Sequence, residues 1–419
     1  MALVDRRVVN VGTRSGRSPM NVVRSASARC GALLLERHNP DFLPSYQQAF
    51  LSAAGEAATE TELASAFEDA FPVNSAVMDI LRSDIDPVDG RAGESRQPRW
   101  SVRLRPQVDL WYHGLATIGV EREELLPQYN RDYAEEMRQA KRERGLAATR
   151  LDSLTDDFRS EFGSKSEFQF FDRLPLYFQD ATPEQMLTAL RVVADRQSYR
   201  RDEVSPEART GAAAVAQIFV WANHRRVLKR YVEALEEEWR VFYSEYWDQM
   251  TAANAGRRSD LDEFWATSVA PRLDDFLAER RLDAGTILVS PAVGPDGRLF
   301  IGDPDDREDN LVVVWSPTGS SSRQPAFHVI KEVCHSVVAA ALDGLVDDNR
   351  RTRPLRMTAA VRCGALVLDR YAPILSAGYP RAMMEGVGVT GTATVRRFEE
   401  QFALEPEILA ALIDEIGAR

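Results

Sequence analysis

Residues 327–338 read Phe-His-Val-Ile-Lys-Glu-Val-Cys-His-Ser-Val-Val, FHVIKEVCHSVV. At about 100° per residue, His328, Lys331, Glu332, His335 and Ser336 share one side of a helix, and Val329, Ile330, Val333, Cys334 and Val337 fill the rest. An amphipathic helix with a wet face accounts for this pattern. The same stripe also holds Glu-x-x-His with Lys331 immediately before it, one residue away from H-E-x-x-H. In that pattern two imidazoles one turn apart hold zinc and the Glu handles a proton. Apolar Ala339 and Leu342 continue the stripe one turn later, so it can face a cleft. Upstream, three short β-branched runs at 286–291, 297–303 and 310–317 are separated by Pro, Gly and Asp turns. They predict one small sheet, against which a helix from about 326 to 342 packs Ile330, Val333 and Val337.

Working outward, residues 104–283 read as a helical domain. Thr182-Pro-Glu-Gln185 is a capping box, Ser205-Pro-Glu207 opens a long helical run, and the many aromatic residues recur at core spacing. Asp109 and His113, four apart, predict an intrahelical contact, and His224 in ANHRRVLKR predicts a solvated basic face. The two ends of the chain repeat one another. RCGALLLERHNPDFLPSY from Arg29 matches RCGALVLDRYAPILSAGY from Arg362 without a gap, and Phe67-Glu-Asp-Ala-Phe71 parallels Phe398-Glu-Glu-Gln-Phe402. The spacing is far too long for a solenoid. The expected organisation is a helical segment at 1–90 homologous to the C-terminal segment, a Pro/Gly-rich linker at 91–103, the helical domain at 104–283, and a last module at 284–419 that carries the second copy. The fold class is therefore α+β and mostly helical.

The 419 residues carry a formal net charge of −12, which argues against nucleic acid or anionic membrane as partner. No apolar run approaches the roughly 18 residues of a membrane span, and the first residues lack the apolar core of a secretory signal. A cytoplasmic location is expected, and the preference for Arg over Lys suggests a GC-rich bacterial genome. Cys30, Cys334 and Cys363 lie in apolar helical patterns and read as free buried thiols in a reducing compartment. Three further patterns are set aside. The acidic stretch GDPDDREDN at 302–310 has Arg307 where a calcium loop needs an oxygen ligand. Gly386-Val-Gly-Val-Thr-Gly391 follows a helix instead of a strand, so it reads as a connecting loop. Cys334 points about 100° from His335, among apolar neighbours.

Strands leading through a polar loop into a helix with x-E-x-x-H, followed by a helix with an acid in GALVLDRYAP, resemble the catalytic half of gluzincin-type zincin metallopeptidases over about residues 285–385. The resemblance implies Glu332 as general base, His335 as a zinc ligand and Asp369, or else Glu385, as the acidic ligand. Lys331 stands where the first ligand belongs, and an ammonium has no lone pair to donate. His328 as replacement lies seven residues, about 10.5 Å, from His335 along the axis. Lys331 can instead act as a fixed cation paired with Asp369 or another carboxylate. The implied function is a metallopeptidase-like protein without turnover and without a resident cofactor, with zinc only where the metal site works. Its expected ligand is a peptide or protein. The alternatives are an active peptidase with atypical ligands and a helical interaction scaffold.

Overall fold

The computed structural model describes residues 19–38, 43–54, 59, 62–73, 77–78, 99–119, 126–164, 166–196, 200–301, 310–316, 321–343, 345–346, 352–389 and 395–417. These fall into two compact units, one within residues 1–95 and one within 96–419. The acidic stretch at 302–310 and Gly391 of the glycine pattern lie, wholly or almost so, outside the described residues.

The first unit holds α1 (Pro19–His38), α2 (Leu43–Ala54) and α3 (Leu63–Ala70) around Ala28, Leu51, Phe67 and Phe71.

The second unit is built on a four-stranded sheet of β1 (Arg99–Arg103), β2 (Ala284–Ser290), β3 (Arg298–Phe300) and β4 (Leu311–Trp315) in the order β1-β2-β4-β3. β1 and β4 run parallel to β2, and β3 is antiparallel to β4. The three predicted runs thus share one sheet. A fourth strand comes from the end of the expected linker, because Trp100 is buried and its indole Nε1 donates to the Leu282 carbonyl at 2.7 Å. At Gly285 a Cβ would stand 2.8 Å from both the Trp100 ring and the Asn310 carbonyl, so this register requires glycine.

Both faces of the sheet are covered, which explains why β4 reads Leu-Val-Val-Val-Trp with no polar alternation. Leu288, Leu311 and Val313 enter one core with Trp111, Phe171 and Tyr231, while Ile287, Val312 and Val314 enter a second core with Phe276, Val329 and Val361. The first core belongs to the helices between β1 and β2, including α4 (Pro106–Ile118), α5 (Tyr133–Glu143), α6 (Pro183–Arg196) and α7 (Ala222–Glu238). The capping box opens α6: the Thr182 amide donates to Gln185 Oε1 at 2.8 Å. The run from Ser205 is not one helix but breaks at Phe219–Trp221 before α7. His224, expected on a solvated face, is buried. α8 (Ala270–Glu279) packs into the second core.

The helix predicted over 326–342 packs on β4 but is two helices, α9 (Gln324–Val333) and α10 (His335–Leu342). At the junction the Cys334 amide donates to the Lys331 carbonyl at 3.2 Å, a tightened i→i−3 turn. The expectation of free thiols fails here. Cys334 and Cys363 form a disulfide with a Cα separation of 6.0 Å, tying the junction to the middle of α11 (Arg353–Tyr371). The chain ends with α12 (Tyr379–Gly386), α13 (Val395–Gln401) and α14 (Pro406–Gly417).

The matched segments at the two ends make the same internal contacts. The Tyr46 hydroxyl donates to the Ala28 carbonyl at 3.2 Å, and the Tyr379 hydroxyl donates to the Val361 carbonyl at 3.0 Å. Arg29 pairs with Glu68 at 2.7 Å, and Arg362 with Glu399 at 3.6 Å. Ring centroids of Phe67 and Phe71 lie 5.1 Å apart, those of Phe398 and Phe402 5.2 Å. Gly31 and Gly364 each lie beneath the tyrosine hydroxyl of their own segment, where a Cβ would overlap it. Gly364→Ala is therefore expected to destabilise by about 1–3 kcal/mol from overpacking, although alanine is the better helix former. Removing the hydroxyl as well, with Tyr379→Phe, should recover part of the loss in urea unfolding. A stabilised Gly364→Ala protein would contradict this packing.

Candidate functional site

The end of α9 brings Lys331 and Glu332 into the interior, since both are essentially inaccessible and the wet stripe expected there is not wet. Of the polar residues in the stripe, His335 and Ser336 reach partial exposure, while His328, Lys331 and Glu332 are buried. The Lys331 ammonium forms a close ion pair with Glu332 Oε1, donates to the Pro295 carbonyl at 3.0 Å, and lies 3.6 Å from Asp296 Oδ1. The other Glu332 oxygen is 3.2 Å from His335 Nε2. Burial would push the Glu332 pKa up; the Lys331 ammonium and the His335 hydrogen bond override it and hold the carboxyl far below the usual carboxylate range. Gly297 makes this possible, because a Cβ there would stand 2.9 Å from Glu332 Oε1 and 2.6 Å from the Val313 carbonyl.

Asp296 is the hub that sequence reasoning missed. Besides Lys331 it receives a close ion pair from Arg353 at the start of α11, and Arg298 Nη1 lies 3.7 Å away. Arg298 is itself buried and reaches Asp172 at 2.9 Å. Its guanidinium is desolvated, but the charges of Asp172 and Asp296 more than compensate and raise its pKa. The only sequence signal was Pro295-Asp-Gly-Arg298, a turn between two strands. Its partners Asp172 and Arg353 are more than fifty residues away on either side.

Glu332 and His335 open onto a cavity of about 840 Å³. Its polar wall includes Gln128, Asp172, Arg173, Asp296, Arg298, Arg353 and Arg356, and its apolar wall includes Phe162, Phe171, Leu342 and Met357. The carboxylate–imidazole pair can hold and relay a proton at His335. Among the described residues no hydroxyl or thiol is hydrogen-bonded to His335.

The remaining sequence-derived candidates are not brought to this cavity. Asp369 is exposed on the last turn of α11, and Glu385 pairs with Arg381 at 2.9 Å and accepts from Gln324 at 3.2 Å; neither lines the cavity. His328 is sealed beside the Trp315 ring, and neither ring nitrogen has a hydrogen-bond partner among the described residues. Burial, helped by the Lys331 charge, lowers its pKa to about 3, so it is neutral. Among the described residues no group of three or more His, Cys, Asp or Glu side chains is arranged to hold a metal ion. A zinc ion beside His335 would find one imidazole and the Glu332 carboxylate, with the Lys331 ammonium held against that carboxylate, a donor set short of the three protein ligands that a zinc site uses.

A second polar group lies inside the first core. Asp109 and His113 do not contact each other as expected. Asp109 accepts a close hydrogen bond from Ser290 and one from the Tyr243 hydroxyl at 3.2 Å, while His113 stands 3.0 Å from both the Tyr133 hydroxyl and Glu238 Oε1. Lys141 joins Glu238 and Asp152 at 2.7 Å each. Tyr243 belongs to a π-helical turn, Trp239–Tyr243, that follows Glu238 and stacks its ring on His113 at 3.9 Å. None of these residues lines the large cavity. Among the described residues no helix is long and apolar enough to cross a membrane. No family model, curated protein or solved structure matches the chain.

Proposed function

We propose that the cavity is a metal-free ligand-binding cleft of zincin-like plan, in which the Lys331 ammonium takes the place of the metal and no peptide hydrolysis occurs. The observation that carries this reading is the complete burial of Lys331 between Glu332, Asp296 and the Pro295 carbonyl. An ammonium there offers no lone pair, repels a divalent cation, and occupies the carboxylate that would otherwise act on a metal-bound water. What this chain's residues can do is hold a ligand in a large, partly apolar cavity and orient His335 through Glu332. The ligand expected from the resemblance is a peptide or protein. Metal analysis of gently purified protein tests the reading: stoichiometric zinc should be absent, and added zinc should not produce peptidase activity. One equivalent of zinc, lost in His335→Ala, would overturn it.

A further inference from the structure

The cavity's charge is opposite in sign to that of the protein. Four arginines, Arg173, Arg298, Arg353 and Arg356, lie in its wall, and Lys331 stands directly behind Glu332. Against these five cations the same wall offers three carboxylates, Asp172, Asp296 and Glu332, in a chain whose formal net charge is −12. Those acids are already committed: Asp172 to Arg298, Asp296 to Arg298, Arg353 and Lys331, and Glu332 to Lys331 and His335. The surplus resides in Arg173 and Arg356, which are exposed and make no ion pair with a described residue. Low-dielectric walls concentrate such a field inside a cleft instead of letting the surrounding acidic surface cancel it. Guanidinium groups match the two oxygens of a carboxylate or phosphate. Beside the arginines, Phe162, Phe171, Leu342 and Met357 add apolar surface to the same lining.

Resting on the ligand-binding reading above, we infer that the cleft takes an amphipathic anion, with a carboxylate or phosphate monoester held by Arg173 and Arg356 and an apolar or aromatic body against the phenylalanine wall. Arg298 and Arg353 are positioning residues, since their guanidinium groups are engaged by Asp172 and Asp296 and set the shape and potential of the wall. Glu332 is already paired with Lys331, so the ligand's charge must be met by the arginines.

Calorimetric titration of the whole protein with three probes tests this: N-acetylphenylalanine, phenyl phosphate and the neutral N-acetylphenylalaninamide. At least one anion should bind saturably at one site, at least about tenfold tighter than the amide, and should weaken as salt rises. The tighter anion identifies the source, a carboxylate-bearing molecule such as a peptide C-terminus or a phosphate monoester. Arg356→Gln and Arg173→Gln, at exposed side chains with no ion pair to a described residue, should each weaken that anion at least about fivefold without moving the unfolding midpoint. Equal binding of acid and amide, no saturable binding of either anion, or unchanged affinity in both variants would overturn the inference. Repeating the titration after chelator treatment separates the two readings. Anion binding lost with the metal would refute the metal-free cleft, whereas binding that survives chelation but ignores the arginines would refute only the anion site.

Discussion

Lys331→Met is expected to lower stability by about 3–5 kcal/mol at neutral pH, because it leaves Glu332 as a buried carboxylate stripped of its closest counter-charge. Asp296 keeps Arg353 and Arg298, so the loss should fall mainly on Glu332. The pH dependence follows from the direction of its shift. A carboxyl depressed in the folded state contributes stability that is complete above its unfolded value of 4.5 and is lost as pH falls. Without the ammonium, burial dominates and the Glu332 pKa should rise. The deficit of Lys331→Met relative to the parent should therefore shrink in acid. Adding Glu332→Gln should restore most of the loss at pH 7, since two neutral groups of similar size replace the pair. Urea unfolding of the parent and both variants between pH 4 and pH 8 measures all of this. A single variant within about 0.5 kcal/mol of the parent would show that the pair is not buried as described.

The second large effect is expected at Glu238. Burial alone would raise its pKa; the hydrogen bond from His113 and the Lys141 ammonium outweigh burial and bring it down to about 2. His113 is kept neutral by burial, so Lys141 is the counter-charge. The carboxylate thus contributes about 3 kcal/mol at neutral pH, full above pH 4.5 and lost as pH falls from 4.5 towards 2. Glu238→Gln should remove about this much at pH 7 and flatten the acid limb of the stability curve. Asp109 works in the opposite sense on the other side of the network. Burial, opposed by hydrogen bonds from Ser290, Tyr243 and Trp247, raises it to about 6, so its favourable contribution is present below about 3.8 and disappears as pH rises through 6. An acid limb unchanged by Glu238→Gln would remove Glu238 as its source.

Helix and strand identity followed from local pattern wherever one face alone had to be buried. The three β-branched runs, the Thr182 capping box and the aromatic core are legible because each depends on neighbours a few residues away. The contacts at Tyr46 and Tyr379 fall into the same group, since matched apolar spacing and a matched glycine permit the same packing at both ends.

Burial of polar groups was not legible. Lys331, Glu332, His328 and His224 all look like a solvated face when only their own helices are considered. The expectation that Asp369 would be drawn towards the site came from the family resemblance, yet the last turn of α11 turns it to solvent, and Asp296 from the turn before β3 stands beside the ammonium instead. Cys334 and Cys363 read as separate buried thiols until α11 packs over the junction of α9 and α10 and brings their Cα atoms to 6.0 Å.

By itself the sequence determined that this chain is mostly helical with a small sheet, where that sheet lies, and that Glu332 and His335 share one side of a helical segment, because hydrophobic period and the rise of a helix are local properties. Only the tertiary structure decided that β1 joins the sheet, that Lys331 is an internal cation, and that arginines from three distant segments line one cavity together with apolar side chains. Those outcomes depend on which faces remain for burial once two layers of helices have closed on the sheet, and on charges meeting across more than a hundred residues of chain, for which local spacing carries no signal.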